Sequence, residues 1–241
     1  MTASLRGRRI LIVGGAAGIG RASVELGRDA GAEVAVIDRA AWVGADAPPA
    51  FAADVRDSVA VDAAVAAASA ALGGLDGVIY SAGIDLRAPL ADTQDADWAS
   101  VIDVNLTGAM RVCRAALRHF ATEGGSIVLV ASGAALRPLE QRTAYCASKA
   151  GLAMLAKTLA MELAPRGIRV NAVCPGAVET ALFRSGLPND AAAPDEVRAR
   201  YALRRIAAPA EIAHAILFLL GAEASYVTGI AMAVDGGRTF H

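Results

Sequence analysis

Gly14-Gly15-Ala16-Ala17-Gly18-Ile19-Gly20 follows the apolar run Ile10-Leu11-Ile12-Val13 and opens a helical pattern. Glycines at this spacing let the backbone turn tightly and approach a pyrophosphate, and the following helix offers free N–H groups and the positive end of its dipole. With a strand before it and a helix after it, the turn predicts a dinucleotide site, the alternative being a plain glycine-rich turn. The residues predicted to line this site are Gly14, Ala17, Gly18, Ile19 and Gly20.

Short apolar runs alternate with longer helical patterns along the rest of the chain. Strands are predicted at Arg9–Val13, Glu33–Ile37, Phe51–Ala53, Gly77–Tyr80, Ser126–Ala131, Ile168–Val173 and Ile230–Val234. Helices are predicted at Gly18–Ala30, Asp57–Leu72, Asp95–Phe120, Thr143–Ala164 and Pro209–Leu220. Such alternation indicates a parallel sheet, whose strands are continuously apolar because both faces are covered. The predicted fold class is therefore α/β: a Rossmann fold with a doubly wound parallel sheet of about seven strands.

Composition and charge argue against several classes of protein. The formal net charge is −1 and the pI about 6.3, which favours neither a nucleic-acid partner nor an anionic membrane surface. No apolar run reaches the length of a membrane span, and the basic N-terminus leads into an apolar run too short for a signal peptide, so we expect a cytoplasmic protein. The three cysteines lack metal-ligand spacing and the three histidines accompany no motif, so no metal is expected.

Asp38, at the end of the second predicted strand, bears on the choice of dinucleotide. A carboxylate there accepts hydrogen bonds from the ribose hydroxyls of the adenosine and repels a 2′-phosphate, so it favours NAD over NADP. No basic residue occupies positions 15–17, where it could hold such a phosphate. Arg39 could still turn towards a phosphate, the alternative being a solvated loop arginine.

Tyr145 and Lys149 are four residues apart within a predicted helix and should therefore share one face of it. An ammonium group there favours the phenolate and lowers the tyrosine pKa from its reference value of about 10. A tyrosine so tuned can exchange a proton with an alcohol or a ketone near neutral pH. Ser132, upstream of the tyrosine, is a candidate donor to the oxygen on which charge develops.

The domain organisation follows from the length and the absence of breaks. The 241 residues suit one large domain, and we find no internal repeat or low-complexity linker. We therefore expect residues 1–241 to form a single dinucleotide-binding and catalytic domain. The one long irregular stretch is at about 177–194, and long loops in compact domains usually carry function, so a loop at about 177–205 is expected to cover the substrate.

Over essentially its full length the chain resembles the short-chain dehydrogenases/reductases. The residues that carry the resemblance are Gly14 to Gly20, Asp38, Asp54-Val55, Ser81-Ala82-Gly83, Asn105, Ser132, Tyr145, Lys149, Pro175-Gly176, Thr180, Thr228-Gly229 and Asp235-Gly236-Gly237. In two places the chain departs from the family: Val13 stands where threonine is usual, and Tyr80-Ser81 stands for Asn-Asn. Because those polar positions mainly tie strands and loops together, we expect local differences rather than loss of activity.

The resemblance implies roles for the catalytic residues. Tyr145 would give or take the proton while the nicotinamide of NAD gives or takes hydride. Lys149 would hold the ribose hydroxyls and lower the tyrosine pKa, and Ser132 would hydrogen-bond the substrate oxygen. The side chain of Asn105 would hold a water that completes a proton relay through Lys149. Each residue has a structural alternative, but together at the family's spacing they favour an enzyme.

The resemblance also implies the rest of the NAD site and the assembly. Asp54 would bond the adenine amino group with Val55 beside the ring, and Val178 and Thr180 would hold the carboxamide and the pyrophosphate. Further cofactor contacts are expected from Ser81, Ala82, Gly83, Pro175 and Gly176. The family packs two of its helices across two-fold axes, so a homotetramer is expected.

The substrate is expected to be a small alcohol or ketone. Arg142 lies one helical turn before Tyr145, and Arg184 and Arg200 flank or lie in the covering loop. Arginines so placed are similar to those that grip a carboxylate in dehydrogenases of small 3-hydroxy acids, which makes such an acid the first hypothesis. The alternatives are surface or interface arginines, with a 3-oxoacyl thioester or a sugar or polyol as substrate. An alternative of another class is a non-catalytic dinucleotide-sensing regulator.

Overall fold

The computed structural model describes residues 5–185 and 195–239. Within them, seven strands form one sheet in the order β3-β2-β1-β4-β5-β6-β7, and every neighbouring pair is parallel. The strands are β1 (Arg9–Val13), β2 (Glu33–Asp38), β3 (Ala50–Ala52), β4 (Gly77–Tyr80), β5 (Gly125–Val130), β6 (Ile168–Pro175) and β7 (Ala231–Val234). The predicted parallel sheet of about seven strands is confirmed.

Helices connect the strands. They are α1 (Gly18–Asp29), α2 (Ser58–Leu72), α3 (Asp95–Ile102), α4 (Gly108–Ala116), α5 (Thr143–Leu163), α6 (Ala181–Arg184), α7 (Asp195–Ala199) and α8 (Pro209–Leu220). A π-helix, Asp103–Thr107, joins α3 to α4. Short 3₁₀ helices lie at Leu90–Asp92, Gly133–Ala135, Ala164–Arg166 and Ala222–Ala224. None of the helices in the described ranges is long and apolar enough to span a membrane.

Alternate strand residues face two separate cores. Leu11 and Val13 of β1 pack into a core with residues of α2, α4 and α5. On the opposite face Ile10 and Ile12 pack with residues of α1 and α8, among them Val24. Burial on both faces explains why each strand is a continuous apolar run, and the removal of this apolar surface from water stabilises the layered fold.

One of the predicted helices is not continuous in the structure. Instead of one helix over Asp95–Phe120, the structure has α3, the π-helix and α4, which ends at Ala116. A π-helix adds one residue to a turn and widens it, a distortion often found at functional sites. The irregular stretch predicted at about 177–194 contains the short helix α6, and its remaining part, 186–194, lies outside the described residues.

The carboxyl ends of the strands meet along one edge of the sheet. The order of strands along the chain reverses between β1 and β4, so the connections leave these two strands on opposite faces. A crevice opens at such a switch point, and ligands of doubly wound sheets bind there. The turns that follow β1, β4, β5 and β6 carry most of the candidate residues, so the topology brings these residues to one edge.

Candidate active site

The glycine turn after β1 lies against two other loops of this edge. Gly14 has a φ of 81°, and a Cβ there would be 2.5 Å from the backbone nitrogen of Ala82. Gly18 has a φ of 55°, and its Cβ would approach Cγ2 of Thr180 to 3.1 Å. The turn therefore requires glycine for its backbone and for its closeness to Ala82 and Thr180, two residues predicted to contact the cofactor.

The N-terminus of α1 is suited to a pyrophosphate. Ala17, the N-cap residue, has no side-chain oxygen to accept from the first N–H groups, and the first turn contains no acidic residue. Gly20 packs so closely on the turn that a Cβ would lie 2.0 Å from the carbonyl oxygen of Gly14. Backbone N–H groups left without side-chain caps at a helix N-terminus bind phosphate groups, so these residues fit a dinucleotide.

Asp38 braces the same turn at the end of β2. Its Oδ2 accepts from the backbone N–H of Ala16 at 3.0 Å and its Oδ1 from that of Ala40 at 3.0 Å. Since each carboxylate oxygen can accept more than one hydrogen bond, both retain capacity for ribose hydroxyls. Arg39 extends instead towards Asp54, 3.9 Å from its Oδ2.

Asp54 is already paired where an adenine contact is predicted. Arg56 donates to its carboxylate from the backbone N–H at 2.9 Å and from the guanidinium at 2.6 Å. The hydrogen bonds from Arg56 lower the pKa of Asp54 to about 2, and burial opposes them. An adenine amino group would have to share this carboxylate with Arg56, while the neighbouring Val55 is buried in the core below.

Tyr145 and Lys149 lie on one face of α5, as predicted. Lys149 is buried, and its Nζ donates to the backbone carbonyl of Val130 at 2.9 Å. The same Nζ is 5.8 Å from the centroid of the Tyr145 ring, and a Cβ at Gly83 would lie 3.3 Å from it. The ammonium group thus bonds α5 to the end of β5 and lies close to the loop after β4.

The expected lowering of the tyrosine pKa is not found in the protein chain itself. Burial raises the pKa of Tyr145 to about 12, because the phenolate is desolvated more than the nearby charges favour it. A hydrogen bond with Ser132 works in the opposite direction. Burial also lowers the pKa of Lys149 to about 8, since its ammonium loses water. Desolvation is therefore the largest cause of the pKa shift of both Tyr145 and Lys149.

Ser132 lies between β5 and α5. Its Oγ accepts from the backbone N–H of Ala134 at 3.1 Å and so caps the 3₁₀ helix Gly133–Ala135. The cap holds the hydroxyl in place beside Tyr145. Since the oxygen accepts from the backbone, the hydroxyl proton remains for the phenol or for a substrate oxygen.

Asn105 acts as a brace between three segments. Its Oδ1 accepts from the backbone N–H of Ile84 at 2.8 Å, and its Nδ2 donates to the carbonyl of Ile84 and to Oγ of Ser148, each at 2.9 Å. Ser148 in turn donates to the carbonyl of Tyr145 at 2.8 Å. With both amide hydrogens used, the water predicted for this side chain could bond only to the remaining capacity of Oδ1.

Tyr80 is a supporting residue that the sequence did not identify. Its buried hydroxyl donates to the carbonyl of Val104, inside the π-helix, at 2.5 Å. A Cβ at Gly108 would lie 2.6 Å from the same hydroxyl, so the helix approaches the tyrosine closely. The only signal in the sequence was the departure from the family's asparagine at this position.

The segment after β6 closes the edge next to the glycine turn. The backbone N–H of Ala177 donates to the hydroxyl of Tyr201 at 3.0 Å, and a Cβ at Gly176 would meet the same ring at 2.8 Å. Val178 is buried, and Oγ1 of Thr180 accepts from the N–H of Phe183 at 3.2 Å as the cap of α6. Pro175 ends β6, so Pro175 to Thr180 follow the sheet edge towards Gly18.

The three candidate substrate arginines have different surroundings. Arg142 is the N-cap residue of α5 and forms an ion pair with Asp85, a residue that no sequence motif marked. Arg184 pairs with Glu179 at 2.9 Å and is largely exposed. Arg200 is exposed at the end of α7. Arg142 lies near Tyr145 and lowers its pKa, while Asp85 raises it.

The chain matches known proteins along almost its whole length. Residues 14–239 match the model of a family described as Enoyl-(Acyl carrier protein) reductase. It is 36% identical to 2-(S)-hydroxypropyl-CoM dehydrogenase 3 of Xanthobacter autotrophicus, over 99% of both proteins. It is 37% identical to D-threitol dehydrogenase of Mycolicibacterium smegmatis, over 98% of this chain and 94% of that protein.

A solved structure agrees in fold. The 3-ketoacyl-(acyl-carrier-protein) reductase of Brucella melitensis, complexed with NADH, superposes with a TM-score of 0.90 and 31% identity, over 98% of this chain and 100% of that one. The seven-stranded parallel sheet with its covering helices agrees with this structural match. The chain belongs to the short-chain dehydrogenase/reductase family.

Proposed function

We propose that the protein interconverts a secondary alcohol and a ketone by hydride transfer to or from NAD(H), with Tyr145 as the acid/base. The observation that carries this proposal is the placement of Tyr145, Ser132 and Lys149 at the same sheet edge as the glycine turn. Gly83 links the two halves of the site, since it lies beside Nζ of Lys149 and a neighbouring residue, Ala82, lies against Gly14. A dinucleotide bound at the turn would therefore end next to the tyrosine.

The chain's own groups would handle the proton and the substrate oxygen. When bound, NAD would accept the hydride from the alcohol, and NADH would donate it to the ketone. In the reducing direction Tyr145 donates its proton to the ketone oxygen, and a pKa of about 12 keeps that proton available at neutral pH. Ser132 donates a hydrogen bond to the same oxygen as negative charge develops on it. Lys149, at this sheet edge, would hold the ribose hydroxyls.

Asp38 supports NAD as the preferred dinucleotide. Its carboxylate is fixed by two backbone N–H groups where a 2′-phosphate would otherwise be placed, and the ion pair with Asp54 draws Arg39 away. The related reductase complexed with NADH is consistent with this preference.

Among the substrate classes, the Arg142–Asp85 pair favours a neutral, multiply hydroxylated compound. The small 3-hydroxy acid depended on a free Arg142, but its carboxylate would have to displace Asp85 and would lie close to that negative charge. A polyol carries no charge, so it would neither have to displace Asp85 nor be repelled by it. The related D-threitol dehydrogenase acts, by its name, on such a compound.

The decisive test is the absorbance of reduced nicotinamide with a panel of polyols, simple secondary alcohols, hydroxy acids and 3-oxoacyl thioesters. We expect turnover with NAD that Tyr145→Phe reduces by about 10²–10⁴-fold, because the ring remains and the proton donor is lost. Tyr226→Phe, on a fully exposed tyrosine, is the control and should be as active as the wild type. Tight NAD binding without turnover on any panel member would instead favour the non-catalytic dinucleotide sensor.

A further inference from the structure

Asp85 lies in a fixed place near Tyr145. It follows Ile84, whose backbone N–H and carbonyl are both bonded by Asn105. Only 12% of the Asp85 side chain is exposed, and 24% of that of its partner Arg142. The carboxylate is therefore held on one side by the backbone brace and on the other by a guanidinium.

The two oxygens of the Asp85 carboxylate differ in their hydrogen bonding. Arg142 donates to Oδ2, whereas Oδ1 is buried and has no hydrogen-bond partner within the described part of the chain. Buried polar atoms are almost always hydrogen-bonded, and a charged one without a partner is costly. An atom of this kind next to a catalytic residue indicates a missing donor, and a ligand can supply it.

The pair lies close enough to Tyr145 for both of its charges to act on the phenol. The backbone N–H of Ala88 donates to the carbonyl of Gln141 at 2.8 Å, so the segment after Asp85 runs along the start of the catalytic helix. Both charges act on the phenol of Tyr145, in opposite directions. A substrate whose reacting oxygen meets Tyr145 and Ser132 therefore presents its adjoining atoms to Asp85.

We propose that Asp85 determines substrate specificity: its Oδ1 accepts a hydrogen bond from a second hydroxyl, next to the one that reacts, so that the site selects vicinal diols. The inference rests on the proposed function. The terminal torsion of an aspartate is soft, so the carboxylate can turn Oδ1 towards the pocket while Arg142 keeps its contact. Arg142 orients the carboxylate, and the same carboxylate keeps Arg142 from binding an acidic substrate.

Three four-carbon substrates separate these effects: butane-2,3-diol, butan-2-ol and 3-hydroxybutanoate. We measure kcat/KM for each with NAD, in the wild type and in Asp85→Ala. In the variant the ratio of the diol to butan-2-ol should fall by about tenfold or more, the scale of one hydrogen bond to a charged group. The ratio of 3-hydroxybutanoate to butan-2-ol should rise, because Arg142 becomes free to bind a carboxylate. A merely structural role would lower all three rates and leave both ratios unchanged.

The chain offers a matched control pair at the opposite edge of the sheet. Arg9 and Asp76 are paired at 2.8 Å with similarly low exposure, 27% and 15%, so Asp76→Ala should lower stability without changing either ratio. If Asp85→Ala does not fold, Asp85→Asn keeps the volume and should still raise the ratio for 3-hydroxybutanoate. Ratios in a folded variant equal to those of the wild type would overturn the role of Asp85 while the enzyme remains a dehydrogenase. A wild type that turns over other members of the panel but not butane-2,3-diol would overturn this inference alone. A wild type inactive with these three compounds and with the whole panel would overturn the proposed function itself, and this inference with it.

Discussion

Tyr145 and Lys149, whose ionised forms both lose water in the folded protein, lie close together on α5. Burial raises the pKa of Tyr145 to about 12 and lowers that of Lys149 to about 8, so the protein favours the neutral form of each. The two side chains do not stabilise each other through a hydrogen bond, since the ammonium donates to the carbonyl of Val130 rather than to the phenol. The cost of burying Lys149 should therefore be visible in the stability of the protein.

The folded-state pKa of Lys149, about 8, lies below the unperturbed lysine value of 10.5. Below pH 8 the lysine is charged in both states and its burial cost is fully present. Between pH 8 and about 10.5 the unfolded state binds more protons, so this contribution to the free energy of unfolding rises with pH, by up to about 3 kcal/mol. The measurement is urea unfolding of the wild type and Lys149→Met across this range. The contribution of Lys149 is present in the wild type and absent from Lys149→Met, so the difference in unfolding free energy between the two proteins should change with pH. A difference independent of pH would contradict this prediction.

At the same scale, Asp38 is expected to set the preference for NAD. Asp38→Asn removes the charge that repels a 2′-phosphate and weakens the acceptors for the ribose hydroxyls, so we expect higher KM for NAD and better use of NADP. Loss of a hydrogen bond to a charged acceptor corresponds to roughly tenfold or more in affinity. The measurement is kcat/KM with each dinucleotide, with Asp46→Asn on an exposed loop as control. A wild type that already prefers NADP would show that Arg39 dominates.

At the scale of elements, the π-helix between α3 and α4 holds the site together. Its wide turn presents the carbonyl of Val104 to Tyr80 and the side chain of Asn105 to Ile84 and Ser148. Four segments, β4, the loop after it, the π-helix and α5, are joined by this set of bonds. A change at Tyr80 should therefore alter the position of α5, although the hydroxyl of Tyr80 bonds the π-helix rather than α5 itself.

Tyr80→Phe tests this connection. The substitution leaves the ring in the core and the buried carbonyl of Val104 without its donor, which should cost about 1–3 kcal/mol of unfolding free energy. We also expect kcat to fall more than KM rises, because Asn105 and with it the tyrosine of α5 are held less firmly. Denaturant unfolding and steady-state kinetics measure the two effects, with Tyr226→Phe as the exposed control. Loss of stability with unchanged kcat would limit Tyr80 to a structural role.

At the scale of the whole molecule, α5 leaves large apolar side chains in contact with solvent. Met154 and Met161 are 58% and 82% exposed on the same helix that carries Tyr145. Together with the helices on either side of the π-helix, this surface is where the family resemblance predicts an isologous contact. Covering this surface would also hold α5 in place from outside.

We therefore expect a homotetramer in solution, measured by light scattering coupled to size-exclusion chromatography. Met154→Glu combined with Met161→Glu should yield smaller species, because the charges would be buried across the two-fold axis. Val59→Glu on α2, 77% exposed in the wild type, is the control and should leave the assembly intact. A wild type that is monomeric at working concentrations would contradict the expectation.

The sequence by itself determined what depends on local spacing. Glycines at 14, 18 and 20 are required by positive φ angles and close approaches that any chain with this turn would meet. The continuous apolar runs follow from burial on both faces of a parallel sheet, and the pairing of Tyr145 with Lys149 follows from the period of a helix. These features were predictable because each is set within a few neighbouring residues.

Only the tertiary structure decided what those side chains meet. Arg142, predicted to be free for a substrate, is paired with Asp85, 57 residues away, and Tyr80 bonds a carbonyl 24 residues away. The pKa of Tyr145 is raised rather than lowered because desolvation depends on everything packed around the phenol, which spacing along a helix cannot express. Local patterns thus placed the candidate catalytic groups, whereas the charges and polar partners around them come from distant parts of the chain brought together by the fold.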